Sequence, residues 1–220
     1  MAPFPFDVVA FDLDGTLADT APDLAATLNH VLAELGRPPV EAESVRHLVG
    51  HGARALLRNG LAATGEASEQ LIEAGFPIYL EYYSANICVG TRPYPGVEAA
   101  MDTLAERNVR LAICTNKLES LTRLLVEALG WQNRFVSVIG ADTVGVRKPD
   151  PLPLREAIAR AGGGRAALVG DSITDADTAC AAGVPFVAVS FGFSDRPADA
   201  LGADAVIDNY AALVETLERL

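Results

Sequence analysis

A chain of 220 residues, 50% of them apolar and 21% charged, is too rich in core-forming side chains for disorder and long enough for one large domain, alone or with a small insertion. Its formal net charge of -12 opposes sequence-independent binding to nucleic acid or to an anionic membrane. No stretch approaches the roughly 18 apolar residues of a membrane span, whereas a small anionic partner stays compatible if a metal and a few cations dominate one pocket.

In chain order, residues 1–7 carry neither a basic n-region nor an apolar h-region. Cys88, Cys114 and Cys180 are scattered, odd in number and without Cys-x-x-Cys spacing, so they support neither a zinc site nor a disulfide framework. Free thiols and a cytoplasmic location are expected.

Val8-Val9-Ala10-Phe11 reads as a buried strand. It runs directly into Asp12-Leu13-Asp14-Gly15-Thr16, where residues two apart share a face and Gly15 permits a tight positive-φ turn. Two carboxylates are thus delivered to a strand end. An Asp-Gly pair is often no more than a turn, but a carboxylate directly behind four apolar residues is costly unless a cation compensates it.

The stretch 20–91 shows helical periods at 24–35, 53–63 and 71–85 and no convincing strand. It reads as an all-helical insertion after the first strand, bounded by Pro22 on one side and Pro93-Tyr94-Pro95-Gly96 on the other. From residue 95 onward, apolar runs at 111–114, 135–139, 166–169 and 184–189 alternate with helical patterns at 120–129, 152–161, 176–182 and 211–220. That alternation predicts a parallel sheet covered by helices on both faces.

Three further polar clusters follow predicted strands, where open α/β sheets form their ligand crevice. Thr115-Asn116 precede a helix, so a hydroxyl and exposed N–H groups can receive an oxyanion. Lys148, in Val146-Arg147-Lys148-Pro149, is held out of helical geometry by Pro149. Gly170-Asp171-Ser172-Ile173-Thr174-Asp175 places Asp171 at a strand end and Asp175 one helical turn later. Asp12, Asp14 and Asp171 around one point are a hard oxygen set suited to Mg²⁺.

Together these residues resemble the haloacid dehalogenase superfamily, whose four motifs are matched by Asp12-x-Asp14-Gly15-Thr16, Thr115-Asn116, Lys148-Pro149 and Gly170-Asp171-Ser172-x-x-Asp175. The resemblance implies an α/β fold with a Rossmann-like parallel sheet core, formed by 1–19 and 92–220, and a helical cap domain at 20–91. It implies a Mg²⁺-dependent phosphomonoester hydrolase in which Asp12 is the nucleophile and forms an aspartyl-phosphate, while Asp14 protonates the leaving alcohol and then activates water. Mg²⁺ would be held by the Asp12 carboxylate, the Asp14 carbonyl and Asp171, phosphate by Thr115, Asn116 and Lys148, and Asp175 would orient Lys148 or metal-bound waters. Dehalogenases of the superfamily lack an acid at the position of Asp14, so its presence selects phosphate over halide.

A finer resemblance is to the bacterial phosphoglycolate phosphatase family. It rests on Leu17-Ala18-Asp19-Thr20-Ala21-Pro22-Asp23-Leu24, Val49-Gly50-His51-Gly52-Ala53-Arg54-Ala55-Leu56, Tyr94-Pro95-Gly96-Val97 and Lys148-Pro149-Asp150-Pro151-Leu152-Pro153-Leu154. It implies 2-phosphoglycolate as the small anionic substrate, with His51 or Arg54 of the cap meeting its carboxylate, in a monomer or homodimer. Two other readings remain: a phosphatase or phosphomutase for a small sugar phosphate, and a non-catalytic binding protein on the same fold.

Overall fold

The computed structural model describes residues 4–194 and 196–220, apart from the His47 side chain. Residues 1–3, read above for a leader, lie outside the described part. Six strands form one parallel sheet: β1 (Val8–Phe11), β4 (Arg110–Cys114), β5 (Phe135–Ile139), β6 (Ala166–Gly170), β7 (Phe186–Val189) and β8 (Ala205–Ile207), in the order β5-β4-β1-β6-β7-β8. β1 is therefore central, in register with β4 (Phe11 opposite Ile113) and with β6 (Phe11 opposite Val169).

Strand alternation sorts the apolar runs onto two faces. Val9, Phe11, Ile113, Val169 and Val187 join one core, with helices α5 (Val97–Glu106), α6 (Glu119–Ala128) and α9 (Leu213–Glu218) contributing Met101, Leu125 and Leu217. Val8, Ala10, Ala112, Leu168 and Ala188 join the other, against Leu154 and Ala157 of α7 (Leu152–Arg160) and Ala179 of α8 (Ile173–Ala182). Every β1 side chain is fully buried, each large one worth about 1.5–3 kcal/mol. The residues that follow β1 thus rest on a strand buried at every position.

Between β2 (Ala18–Asp19) and β3 (Arg92–Pro93) lie four helices: α1 (Ala21–Glu34), α2 (Ala42–Val45), α3 (Ala53–Thr64) and α4 (Glu69–Ala85). They bury their own core of Leu28, Val31, Leu57, Leu61 and Ile72, and Leu121 of α6 completes it. Gly60 allows the close approach of α3 to α1, since a Cβ there would sit 2.6 Å from a Leu28 methyl. The helical cap follows the first strand, and β2 and β3 pair antiparallel, Asp19 opposite Arg92. Asp23, almost wholly buried, fastens the return: its carboxylate accepts from the N–H of Gly90 at 2.7 Å and from the N–H and hydroxyl of Thr91 at 2.8 and 2.7 Å.

Several elements go beyond the sequence reading. α5, β8, α2 and the β2–β3 pair were not among the expected elements. β2 and β3 have two residues each and β8 three, too few to display a period. α5 does carry apolar residues at 97, 100, 101 and 104, which is helical spacing.

Candidate functional site

Because the sheet is parallel, the carboxyl ends of β1, β4 and β6 lie along one edge, and the residues that follow them, Asp12, Thr115 and Asp171, converge there. Asp12 is buried, with Oδ1 accepting from the Leu13 N–H at 2.7 Å. Lys148 Nζ, itself buried, lies 3.1 Å from the same oxygen and 2.5 Å from Asp175 Oδ1. Burial pushes the Asp12 carboxyl above its ordinary range; Lys148 opposes that shift, and Asp175 and Asp14 add to it. For Lys148, desolvation disfavours the ammonium, yet Asp12 and Asp175 outweigh it and hold the pKa above its ordinary value.

Asp175 is fully buried and saturated with donors. Beyond Lys148, its Oδ2 accepts from the Ser172 N–H at 3.1 Å and hydroxyl at 2.6 Å, and Ser172 in turn caps α8. Asp171 accepts from the Thr16 hydroxyl at 2.8 Å and from the Phe193 N–H at 2.7 Å. Burial first, then Asp175 and Asp12, push its carboxyl upward. Gly15, at φ 81°, makes this packing possible: a Cβ there would stand 2.6 Å from Asp171 Oδ2.

Asp12, Asp171 and Asp175 offer carboxylate oxygens within 4.8 Å of one another. Lys148 pairs with two of these three buried acids, Asp12 and Asp175, so the set of hard oxygens keeps an excess of negative charge that suits a divalent cation. The Asp14 carboxylate, whose expected part is proton transfer and not metal ligation, is not part of this cluster. It turns instead to Lys117, whose Nζ lies 2.7 and 2.8 Å from its two oxygens and 4.8 Å from the Tyr83 ring centroid.

Lys117 was absent from the sequence reading, where a lysine beside a helix passes for a solvated charge. One signal was available. It sits just ahead of α6, where the partial positive charge of the helix N-terminus disfavours a cation, so a buried acid partner is needed to hold it.

A cleft opens between this rim and the cap. Asp12, Asp14, Thr115, Asn116 and Lys117 line its sheet side, and Val49, Gly50, Gly52, Ala53, Leu56 and Tyr79 are among its cap-side walls. Thr115 is buried, its Oγ1 accepting from the Lys117 N–H at 3.2 Å. Asn116, whose main-chain N–H is one of the groups expected to receive an oxyanion, commits its side chain within the protein. Its Nδ2 donates to the carbonyls of Gly50 and Lys148, both at 3.1 Å, so both amide N–H groups are taken by main chain and tie the cap loop to the core. Its Oδ1 is buried without a hydrogen-bond partner among the described residues.

The two cap residues expected to meet substrate fare differently. His51 is exposed and lines a second cleft beside Asp14 and Asp171, with its carbonyl held by Arg147 at 3.2 Å. Arg54 faces away from both clefts: it is exposed, paired with Glu73 at 2.5 Å and stacked on Phe76 at 4.2 Å. One helical position decides this, because α3 turns Leu56 and Leu57 inward and leaves Arg54 on the outer face toward α4. Arg46 is the cap cation that reaches the core, 2.6 Å from Asp19 and 5.3 Å from the Phe193 ring centroid.

The chain matches the family model of haloacid dehalogenase-like hydrolases over residues 9–189. It is 46% identical to a phosphoglycolate phosphatase of Mesorhizobium japonicum, over 97% of this chain and 96% of that one. A phosphoglycolate phosphatase of Caulobacter vibrioides is 43% identical over 92% of this chain and 86% of its own. In three dimensions the chain is similar to the crystal structure of a predicted phosphoglycolate phosphatase from Haemophilus somnus, with a TM-score of 0.90 at 27% identity, covering 96% and 97% of the two chains.

Proposed function

The chain belongs to the haloacid dehalogenase-like hydrolase family, and from that premise we propose that it is a Mg²⁺-dependent phosphatase converting 2-phosphoglycolate to glycolate and phosphate. The observation that carries the reading is the pair Asp12 and Asp14 lining one cleft together with Thr115, two carboxylates beside a hydroxyl able to receive a phosphate oxygen. Relatives at 46% and 43% identity bear the same activity in their names.

In this mechanism an Asp12 carboxylate oxygen attacks phosphorus and the bond to the glycolate oxygen breaks. Asp14 gives that oxygen its proton. Asp14 then takes a proton from the water that attacks the aspartyl-phosphate, releasing phosphate and restoring Asp12. Lys148 and the Thr115 hydroxyl hold the non-bridging oxygens, and Asp175 keeps Lys148 aimed at them. Asp12, Asp171 and the Asp14 carbonyl would hold Mg²⁺, which supplies positive charge that offsets repulsion between carboxylate and phosphate.

Residues 20–91 act as the cap and 1–19 with 92–220 as the catalytic core. The net charge of -12 fits a cytoplasmic monomer or homodimer that engages neither nucleic acid nor membrane. Among the described residues no helix is long and apolar enough to cross a membrane.

The test is phosphate release from a panel of small phosphomonoesters with and without Mg²⁺. Preference for 2-phosphoglycolate, abolished by chelation, is expected. Preference for sugar phosphates by orders of magnitude overturns the substrate, glucose-phosphate isomers interconverted without free phosphate point to a mutase, and release unaffected by Asp12→Asn removes aspartyl catalysis.

A further inference from the structure

We propose that Lys117 is the receptor for the substrate's carboxylate, and hence the residue that selects a phosphorylated hydroxy acid over a neutral phosphomonoester. This rests on the phosphatase reading above and names the part of the substrate that the phosphate site leaves undefined.

Among the described residues lining the cleft between the catalytic rim and the cap, Lys117 is the one cation. Around it the walls are largely apolar: Leu24, Val49, Leu56, Leu118 and Leu121. An anion entering such a cleft loses hydration and regains it only at a charged partner. The alternatives are worse placed. Arg54 is turned outward onto Glu73 and Phe76, and His51 and Arg196 are exposed at the second cleft.

Position adds a chemical argument. Lys117 Nζ contacts both oxygens of Asp14 at 2.7 and 2.8 Å, so it stands beside the group that protonates the leaving oxygen. In a phosphorylated 2-hydroxy acid, the carboxylate is carried by the very carbon that bears that oxygen. A cation adjoining the acid is therefore adjoining the carboxylate as well. An ammonium has three N–H donors, so it can serve Asp14 and a second anion together, while the Tyr83 ring backs it at 4.8 Å.

The experiment compares 2-phosphoglycolate with ethyl phosphate, which offers a comparable leaving alkoxide and no carboxylate, in wild type, Lys117→Gln and Lys117→Arg. Gln keeps a donor for Asp14 without charge; Arg keeps the charge. The expected result is a fall of at least about tenfold in the ratio of the two kcat/KM values for K117Q, carried mainly by KM for 2-phosphoglycolate, with substantial recovery in K117R. Glycolate should raise the thermal midpoint of wild type and not of K117Q. If both substrates lose activity by the same factor, Lys117 serves Asp14 alone and the inference is overturned while the phosphatase reading stands. A wild type that does not prefer 2-phosphoglycolate overturns both. Should K117Q fail to fold, an unchanged substrate ratio in K117R together with no glycolate shift in wild type overturns the inference.

Discussion

Lys148 Nζ lies 3.1 Å from Asp12 Oδ1 and is held there by Asp175, 2.5 Å away on its other side. The ammonium is buried, so both acids depend on it for charge balance. Its removal strands two carboxylates. Lys148→Met is expected to cost about 3–5 kcal/mol of stability and to abolish phosphate release. Urea denaturation in chelator measures the first, and the double variant with Asp175→Asn should recover part of it.

Asp12→Asn separates catalysis from stability. If Asp12 is the nucleophile as proposed, its loss should lower kcat by about four orders of magnitude or more. The metal-free fold should not weaken at neutral pH, because burial already opposes the Asp12 charge. Equal thermal midpoints for variant and wild type in chelator, beside lost turnover, is the outcome to look for.

The two raised carboxyls give the metal-free protein a pH dependence of defined sign. Asp12 is pushed up to about 6 and Asp171 to about 8, burial being the leading cause for each. The folded state then holds these protons more tightly than the unfolded chain, whose carboxyls titrate near 4. Stability from these groups is present at low pH and is lost as pH rises from about 4 through the raised values. A divalent cation reverses the penalty, so Mg²⁺ should raise the thermal midpoint more at about pH 8 than at about pH 5. Midpoints recorded across pH with chelator and with Mg²⁺ check both signs.

Gly15→Ala places a Cβ 2.6 Å from Asp171 Oδ2 and 2.9 Å from the Phe193 ring, at a φ of 81°. Strain and displacement together should cost about 1–3 kcal/mol and weaken metal binding by moving Asp171. Calorimetric titration with Mg²⁺ and thermal unfolding report the two effects separately.

Arg54→Ala should leave turnover of 2-phosphoglycolate within about threefold of wild type, since the side chain packs on α4 outside the cleft. Steady-state kinetics decide it; a large KM increase would return Arg54 to the site.

That last case marks where sequence reading stops. The strand ends were legible because a buried parallel strand writes itself as a continuous apolar run; Asp12 and Thr115 stand directly after such a run, and Asp171 after Gly170 at the end of another. The side-chain geometry at those ends was less so. Asp14 and Asp12 share a local motif, yet the Asp14 carboxylate pairs with Lys117, a residue 103 positions away along the chain. Asn116 was singled out correctly as a strand-end residue, but which carbonyls would capture its amide depends on how the cap loop at Gly50 descends, and no local pattern encodes that.

The pairing of Asp19 with Arg92 has an evolutionary consequence. The chain departs from the core and rejoins it on adjacent strands, so everything between those two residues leaves and returns through a single doorway. Neither residue of that doorway belongs to the main sheet, so changes of length between them need not shift its register. A lineage could lengthen, trim or exchange that stretch and so revise which molecules are admitted, while the phosphate chemistry beneath stays as it was.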